Sequence, residues 1–223
     1  MAVAGRANLR EFFEEVGVMV MAWDGSDDFL RREAQRDHGR GRLPRPIMIA
    51  FQGDEARLLA FCRHLRTGEP DLGMALFELA QCAQLTNPDG LLWAMAATLR
   101  PLTVEPLVGR ATGCRALVVQ TATRSGPRGK VPVQEAARLL PYGLDDDGTL
   151  LWEEPVRLPE GGPTPMRRTL RATLLAGPAR PDLDVGEVAA MLVRWGHLIA
   201  VAPGVIDDRA SRSYCTWDDD LIV

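Results

Sequence analysis

Residues 72–99 form the most apolar stretch of the chain and constrain its fold more than any other feature. The second half, residues 91–99 (LLWAMAATL), carries no charge before Arg100-Pro101, and nine residues are too few to cross a bilayer. A segment with no polar face belongs inside a core or beneath another subunit, and the core is the commoner home. In the first half, residues 72–85, the polar side chains Glu78, Gln81 and Gln84 recur every third residue, which predicts a helix with one narrow solvent stripe. Asn87-Pro88 then opens a second helix, with proline at its first position. The expectation is a strongly apolar helical pair across 72–100. A chain of 223 residues, 46% of them hydrophobic, is long enough to bury it. At this size about 70% of the unfolded surface leaves water on folding, so no metal or disulfide is needed for a core.

Around that pair the pattern predicts a mixed α and β fold, α/β or α+β, with a sheet packed by helices and a β-richer C-terminal half. Leu9, Phe12, Phe13 and Val16 fall at helical spacing, and residues 16–23 (VGVMVMAW) read as a buried strand ending at Asp24-Gly25. Ser26 caps a short helix to Arg36, with Asp27 and Asp28 in its first turn. Residues 37–46 (DHGRGRLPRP) break both helix and strand and read as a linker. Residues 47–52 (IMIAFQ) read as a strand, and Gly53-Asp54 opens a helix presenting Leu58, Phe61, Cys62 and Leu65 on one face. Further strands are expected at 115–123, 149–156, 166–175 and 199–202, the second beginning after the Asp145–Gly148 turn and placed at a sheet edge by Pro155. Helices are expected at 133–140 and after Asp184, which with Glu187 forms a capping-box variant. The division expected is an N-terminal segment, 1–45, ahead of a main αβ domain, 46–223, or else one domain overall, and no repeat of 20 to 50 residues is present.

The net charge of −4 gives no general field for nucleic acid or anionic membrane. Four cysteines without a CxxC pair suit a reducing cytoplasm, and residues 1–12 lack the apolar core of a signal peptide. A cytoplasmic location without membrane association is therefore expected. One lysine among 26 basic residues fits a GC-rich, bacterial-type coding bias. The net charge hides segregated blocks. Residues 31–45 hold six arginines against two acidic residues, and residues 101–140 hold six basic residues against two acidic ones.

Oxygen ligands at Asp24, Ser26 and Asp28, just after a buried strand, sit where αβ sheets bind ligands and suit Mg²⁺. A hydrophobic strand followed by Asp-x-Ser resembles the metal-ion adhesion motif of von Willebrand factor A domains, with Asp28 where that motif has its second serine. The same Asp-Gly-Ser resembles the opening of universal stress proteins, whose distal glycine-rich phosphate loop this chain does not carry. Arg124, Arg128 and Lys130 are candidate anion ligands, although residues 125–130 (SGPRGK) lack the first glycine and the Ser/Thr of a Walker A loop. The Arg-Gly linker at 31–45 is a weaker candidate for nucleic acid, since it has no aromatic residue for base stacking. His38, His64 and His197 show no zinc spacing, and His197, after the last helix, would favour its charged form near the helix C-terminus. Asp218, Asp219 and Asp220 followed by Leu221, Ile222 and Val223 form an acidic, apolar-ended segment suited to docking on a partner.

No complete catalytic set emerges. The function expected is a non-catalytic protein-binding adaptor or assembly subunit of a bacterial-type cytoplasmic complex, whose partner is another protein or a second copy. The alternatives are an enzyme binding a metal or phosphate ligand at the Asp-Gly-Ser-Asp-Asp loop and, less favoured, nucleic-acid contact through the linker. No cofactor is expected, except Mg²⁺ under the first alternative.

Overall fold

The structure, a computed structural model, describes residues 26–63, 69–98, 115–126, 132–159, 166–176 and 183–202. The elements run in the order α1 (Ser26–Gly39), β1 (Ile47–Gln52), β2 (Glu55–Phe61), α2 (Glu69–Leu85), β3 (Gly90–Thr98), β4 (Arg115–Arg124), β5 (Val133–Leu144), β6 (Leu150–Trp152), β7 (Val156–Arg157), α3 (Arg167–Leu175), α4 (Val185–Arg194) and β8 (Leu198–Val201). All strands join one antiparallel sheet in the order β6-β5-β4-β3-β1-β2-β8, with β7 also paired to β5. The fold is mixed α and β. No helix among the described residues is long and apolar enough to cross a membrane.

The charge-free segment is a strand, not the second helix its composition predicts. β3 lies mid-sheet between β1 and β4, and it needs no polar face because both of its faces are covered. Leu91, Trp93 and Met95 point to the side of α2, α3 and α4, while Leu92, Ala94 and Ala96 point to the side of α1. Asn87 sits at φ 51° and ends α2 in the left-handed conformation that asparagine tolerates. Asn87-Pro88 therefore closes one element and leads into a strand.

Three further expectations are corrected. Residues 55–61 are the second strand of a hairpin: Gln52 faces Glu55 across Gly53-Asp54, and Gly53 has φ 60° at the first turn position, as glycine allows. The Asp89 carboxylate accepts from Gly53 N at 2.9 Å and pins that turn to the start of β3. Residues 133–140 belong to β5, where pairing with β4 overrides the helical propensity of Ala136 and Ala137. Residues 167–175 form α3, whose buried Leu170, Thr173 and Leu174 stand at i, i+3 and i+4.

Other expectations hold. α1, β1, β4 and β8 occupy the segments assigned to them, and α1 runs on to Gly39. Asp184 caps α4, accepting from Gly186 N at 2.8 Å and Glu187 N at 3.1 Å. The strand expected at 149–156 is instead two short ones, β6 and β7, with Pro155 between them at the sheet edge, and the turn before them closes with Gly148 at φ 79°. The predicted helix ending at Val16 and the strand at 16–23 lie outside the described residues.

Candidate functional site

α1 packs by a stripe of Phe29, Leu30 and Ala34 onto Ile49, Phe51, Leu117 and Leu140 of the sheet. The neighbouring stripe, Asp28, Arg31, Arg32 and Gln35, follows the i, i+3, i+4, i+7 spacing of one helix face. These four side chains form one wall of a groove of about 570 Å³, and Thr149, Leu150 and Trp152 of the edge strand region form the other.

The edge strand explains the opposite wall. Along the β5–β6 ladder, Asp145 N donates to Thr149 O at 3.0 Å and Glu153 N donates to Pro141 O at 3.0 Å. Hydrogen-bonded pairs alternate in an antiparallel ladder, so the peptide groups of Leu150 and Trp152 turn away from β5. Leu150 N accordingly donates to Gln35 Oε1 on α1 at 2.9 Å. Tyr142 supports Trp152 from behind, with ring centroids 5.1 Å apart. The Arg31 guanidinium lies 5.7 Å from the Trp152 centroid, a cation–π distance. Arg31 Nε is buried and meets no hydrogen-bond partner among the described residues.

The first turn of α1 is tied down. Arg138 on β5 donates through Nε to Asp27 Oδ1 at 3.0 Å and through Nη2 to Ser26 Oγ at 3.3 Å, tying the first turn of α1 to the sheet. Ser26 is buried in this contact and Asp28 stands exposed on the groove, so the two side chains serve different surroundings. Asp24 lies outside the described residues, among which no group of three metal-ligating side chains occurs.

The remaining basic candidates are largely turned inward. Arg124 donates to Pro88 O at 3.1 Å and to Gly126 O, while Arg128 and Lys130 lie outside the described residues. In the linker, Arg45 donates to the buried Asp37 carboxylate and stacks over Phe61 at 5.1 Å. Arg36 pairs with Glu33 at 3.2 Å, yet burial still pushes the Glu33 carboxyl above the usual range.

The face under α2, α3 and α4 holds a second polar cluster. His197 is fully buried, its Nδ1 accepting from Arg63 N at 3.2 Å and its Nε2 donating to Glu78 Oε2 at 2.8 Å. Burial lowers the imidazole pKa despite Glu78, so the ring is held neutral rather than charged by the helix end. Glu78 belongs to this cluster, and it is Met74 and Phe77, each 56% exposed, that face outward on α2. Burial pushes the Cys62 and Cys82 thiols up to about 12, which removes them as nucleophiles. Beneath α3, Trp93 Nε1 and both amide atoms of Gln120 are buried without hydrogen-bond partners among the described residues. His64 and the acidic segment Asp218, Asp219, Asp220, Leu221, Ile222 and Val223 lie outside the described residues.

No protein-family model, no curated protein and no solved structure matches the chain.

The groove has one sequence signal, the 28/31/32/35 stripe, which overlaps the Asp24-Ser26-Asp28 cluster at one end and the basic 31–45 segment at the other.

Proposed function

We propose that the protein binds other proteins, as an adaptor or assembly subunit, by taking an acidic, apolar-ended extended segment of its partner into the groove between α1 and β6. The carrying observation is the Arg31 guanidinium, held over Trp152 with a buried Nε that no described residue satisfies. A partner carboxylate would meet Arg31 and Arg32 in a charge-assisted hydrogen bond, and a neighbouring apolar side chain would lie on Trp152. Leu150 N is taken by Gln35, and the Leu150 carbonyl and the Trp152 peptide groups, also turned outward, add a short backbone edge, the usual ground for adding an extended peptide to a sheet.

Two further observations support binding over catalysis. The described thiols are buried and protonated, and both nitrogens of His197 are committed to internal partners. The alternative reading, a metal or phosphate ligand held by Asp24, Ser26 and Asp28, has no supporting observation among the described residues.

The test is a titration of acidic and neutral apolar-ended peptides into the full chain. Reversing charge with Arg31→Glu and Arg32→Glu is expected to weaken acidic-peptide binding at least tenfold, and raising salt is expected to weaken it in the wild type. Binding that ignores both substitutions but falls with Phe77→Ser would move the binding surface to α2.

A further inference from the structure

Resting on the groove reading above, we infer that the partner segment adds to β6 in parallel, so that its apolar residue comes first and its acidic residue second in chain order. The inference starts from Gln35. Its Oε1 takes the Leu150 N–H at 2.9 Å, which removes one of the backbone groups that Leu150 and Trp152 turn away from β5. The Leu150 carbonyl, the Trp152 N–H and the Trp152 carbonyl are left facing outward.

The two strand directions use these groups differently. An antiparallel segment pairs one residue with Trp152 and a later one with Leu150, each pair exchanging two bonds. The later residue would aim its carbonyl at the Leu150 N–H that Gln35 already holds, setting that oxygen against Gln35 Oε1, acceptor against acceptor. A parallel segment instead places one residue opposite Leu151. That residue donates to the Leu150 carbonyl and accepts from the Trp152 N–H, and the residue two further on donates to the Trp152 carbonyl. Every outward group is used, and a segment whose extended part begins beside Leu150 aims no carbonyl at the occupied donor. Parallel pairing is intrinsically the slightly weaker kind, but an unsatisfied carbonyl costs more than that difference.

Direction fixes the order of side chains. α1 runs opposite to β6, since Gln35 meets Leu150 while Arg31, one turn earlier, meets Trp152. Leu150 and Trp152 both face α1, so the partner side chains beside them face α1 as well. In a parallel segment the residue beside Leu150 precedes the residue beside Trp152 by two. The first meets an apolar side chain. The second stands by the Arg31 guanidinium, whose buried Nε has no hydrogen-bond partner among the described residues. The ligand is therefore an extended segment with an apolar residue, any residue and then an acidic one, and Gln35 is the residue that sets its direction.

The test uses the wild-type full chain and two end-capped peptides of one composition, Leu-Val-Asp and Asp-Val-Leu between the same neutral flanks. The first is expected to bind about tenfold more tightly, the worth of a backbone hydrogen bond made rather than left unsatisfied. A nitroxide on its N-terminal flank is expected to broaden the amide signals of Gln35 and Thr149 most strongly, and one on its C-terminal flank those of Asp28 and Arg31. Gln35→Ala frees the Leu150 N–H, keeps a strong helix former in α1 and is expected to erase most of the preference. Equal affinity of the two peptides for the wild type, the reverse broadening pattern, or a preference unchanged in Gln35→Ala would overturn the parallel direction and leave the groove reading standing. Binding of neither peptide, or broadening centred on Met74 and Phe77 of α2, would overturn both. The peptide comparison and the broadening pattern are read on the wild type, so they stand even if the substitution disturbs folding.

Discussion

On the face of the sheet under α2, α3 and α4, Glu78 is bonded to the fully buried His197; on the face under α1, Asp28, Arg31 and Arg32 line an open groove. The difference follows from coverage. Seven strands abreast make a sheet about 29 Å across, and one helix with its side chains is about 10 Å wide. Among the described residues, three helices serve the first face and one serves the second, and the groove lies beside that one, at the β6 edge. Polar groups on the first face are bonded to one another, whereas Asp28 and Arg31 on the second line the groove.

That contrast can be broken by substitution. The largest effect belongs to the closed face: Trp93→Ala removes a fully buried side chain from the middle strand and is expected to lower the unfolding free energy by about 3–5 kcal/mol in urea. Acidic-peptide binding per folded molecule should not change, and a matching loss of binding would mean that the two faces are not separate. Next comes Glu78→Ala, expected to cost about 2–3 kcal/mol because His197 Nε2–H and Arg63 lose a buried partner.

The same cluster carries a pH signature. His197 has a folded pKa lowered below 6.5, so the unfolded chain takes up the proton first as pH falls. The stability this group contributes is full above about pH 6.5 and declines below it, toward the lowered folded value. Urea midpoints should therefore drop between pH 7.5 and pH 5.5 more steeply in the wild type than in His197→Gln. Parallel curves would deny the buried neutral imidazole its role.

The smallest expected effect concerns the tie between α1 and β5. Arg138→Ala should lower stability by about 1 kcal/mol, since the Asp27 pair is partly exposed, with side chains 22% and 26% accessible. It should weaken peptide binding several-fold by loosening the first turn of α1. Unchanged binding would show that the groove wall does not need this tie.

How much of this the sequence displays depends on where specificity comes from. Local chemistry was readable: the Asp184 cap, the Asp145–Gly148 turn and Pro155 at an edge each act through their own backbone. Residues 91–98 were not, because Ala94, Ala96 and Ala97 favour helix intrinsically and only pairing to β1 and β4 makes them a strand. Gly53-Asp54 carried a legible hairpin signal that the apolar run after it obscured. Of the candidate sites, Asp28 lines the groove, but Ser26 is buried against Arg138, 112 positions away, and no local pattern announces such a contact. Trp152 and Arg31 are likewise brought together only by the packing of α1 on the β5–β6 edge.

The most direct test of the groove is residue-resolved. Proton–nitrogen correlation spectra of the full chain, recorded while an acidic, apolar-ended peptide is added, should show shifts concentrated at Arg31, Arg32, Gln35 and residues 149–152. Shifts centred on Met74 and Phe77 of α2, or no shifts at any peptide concentration, would contradict the account.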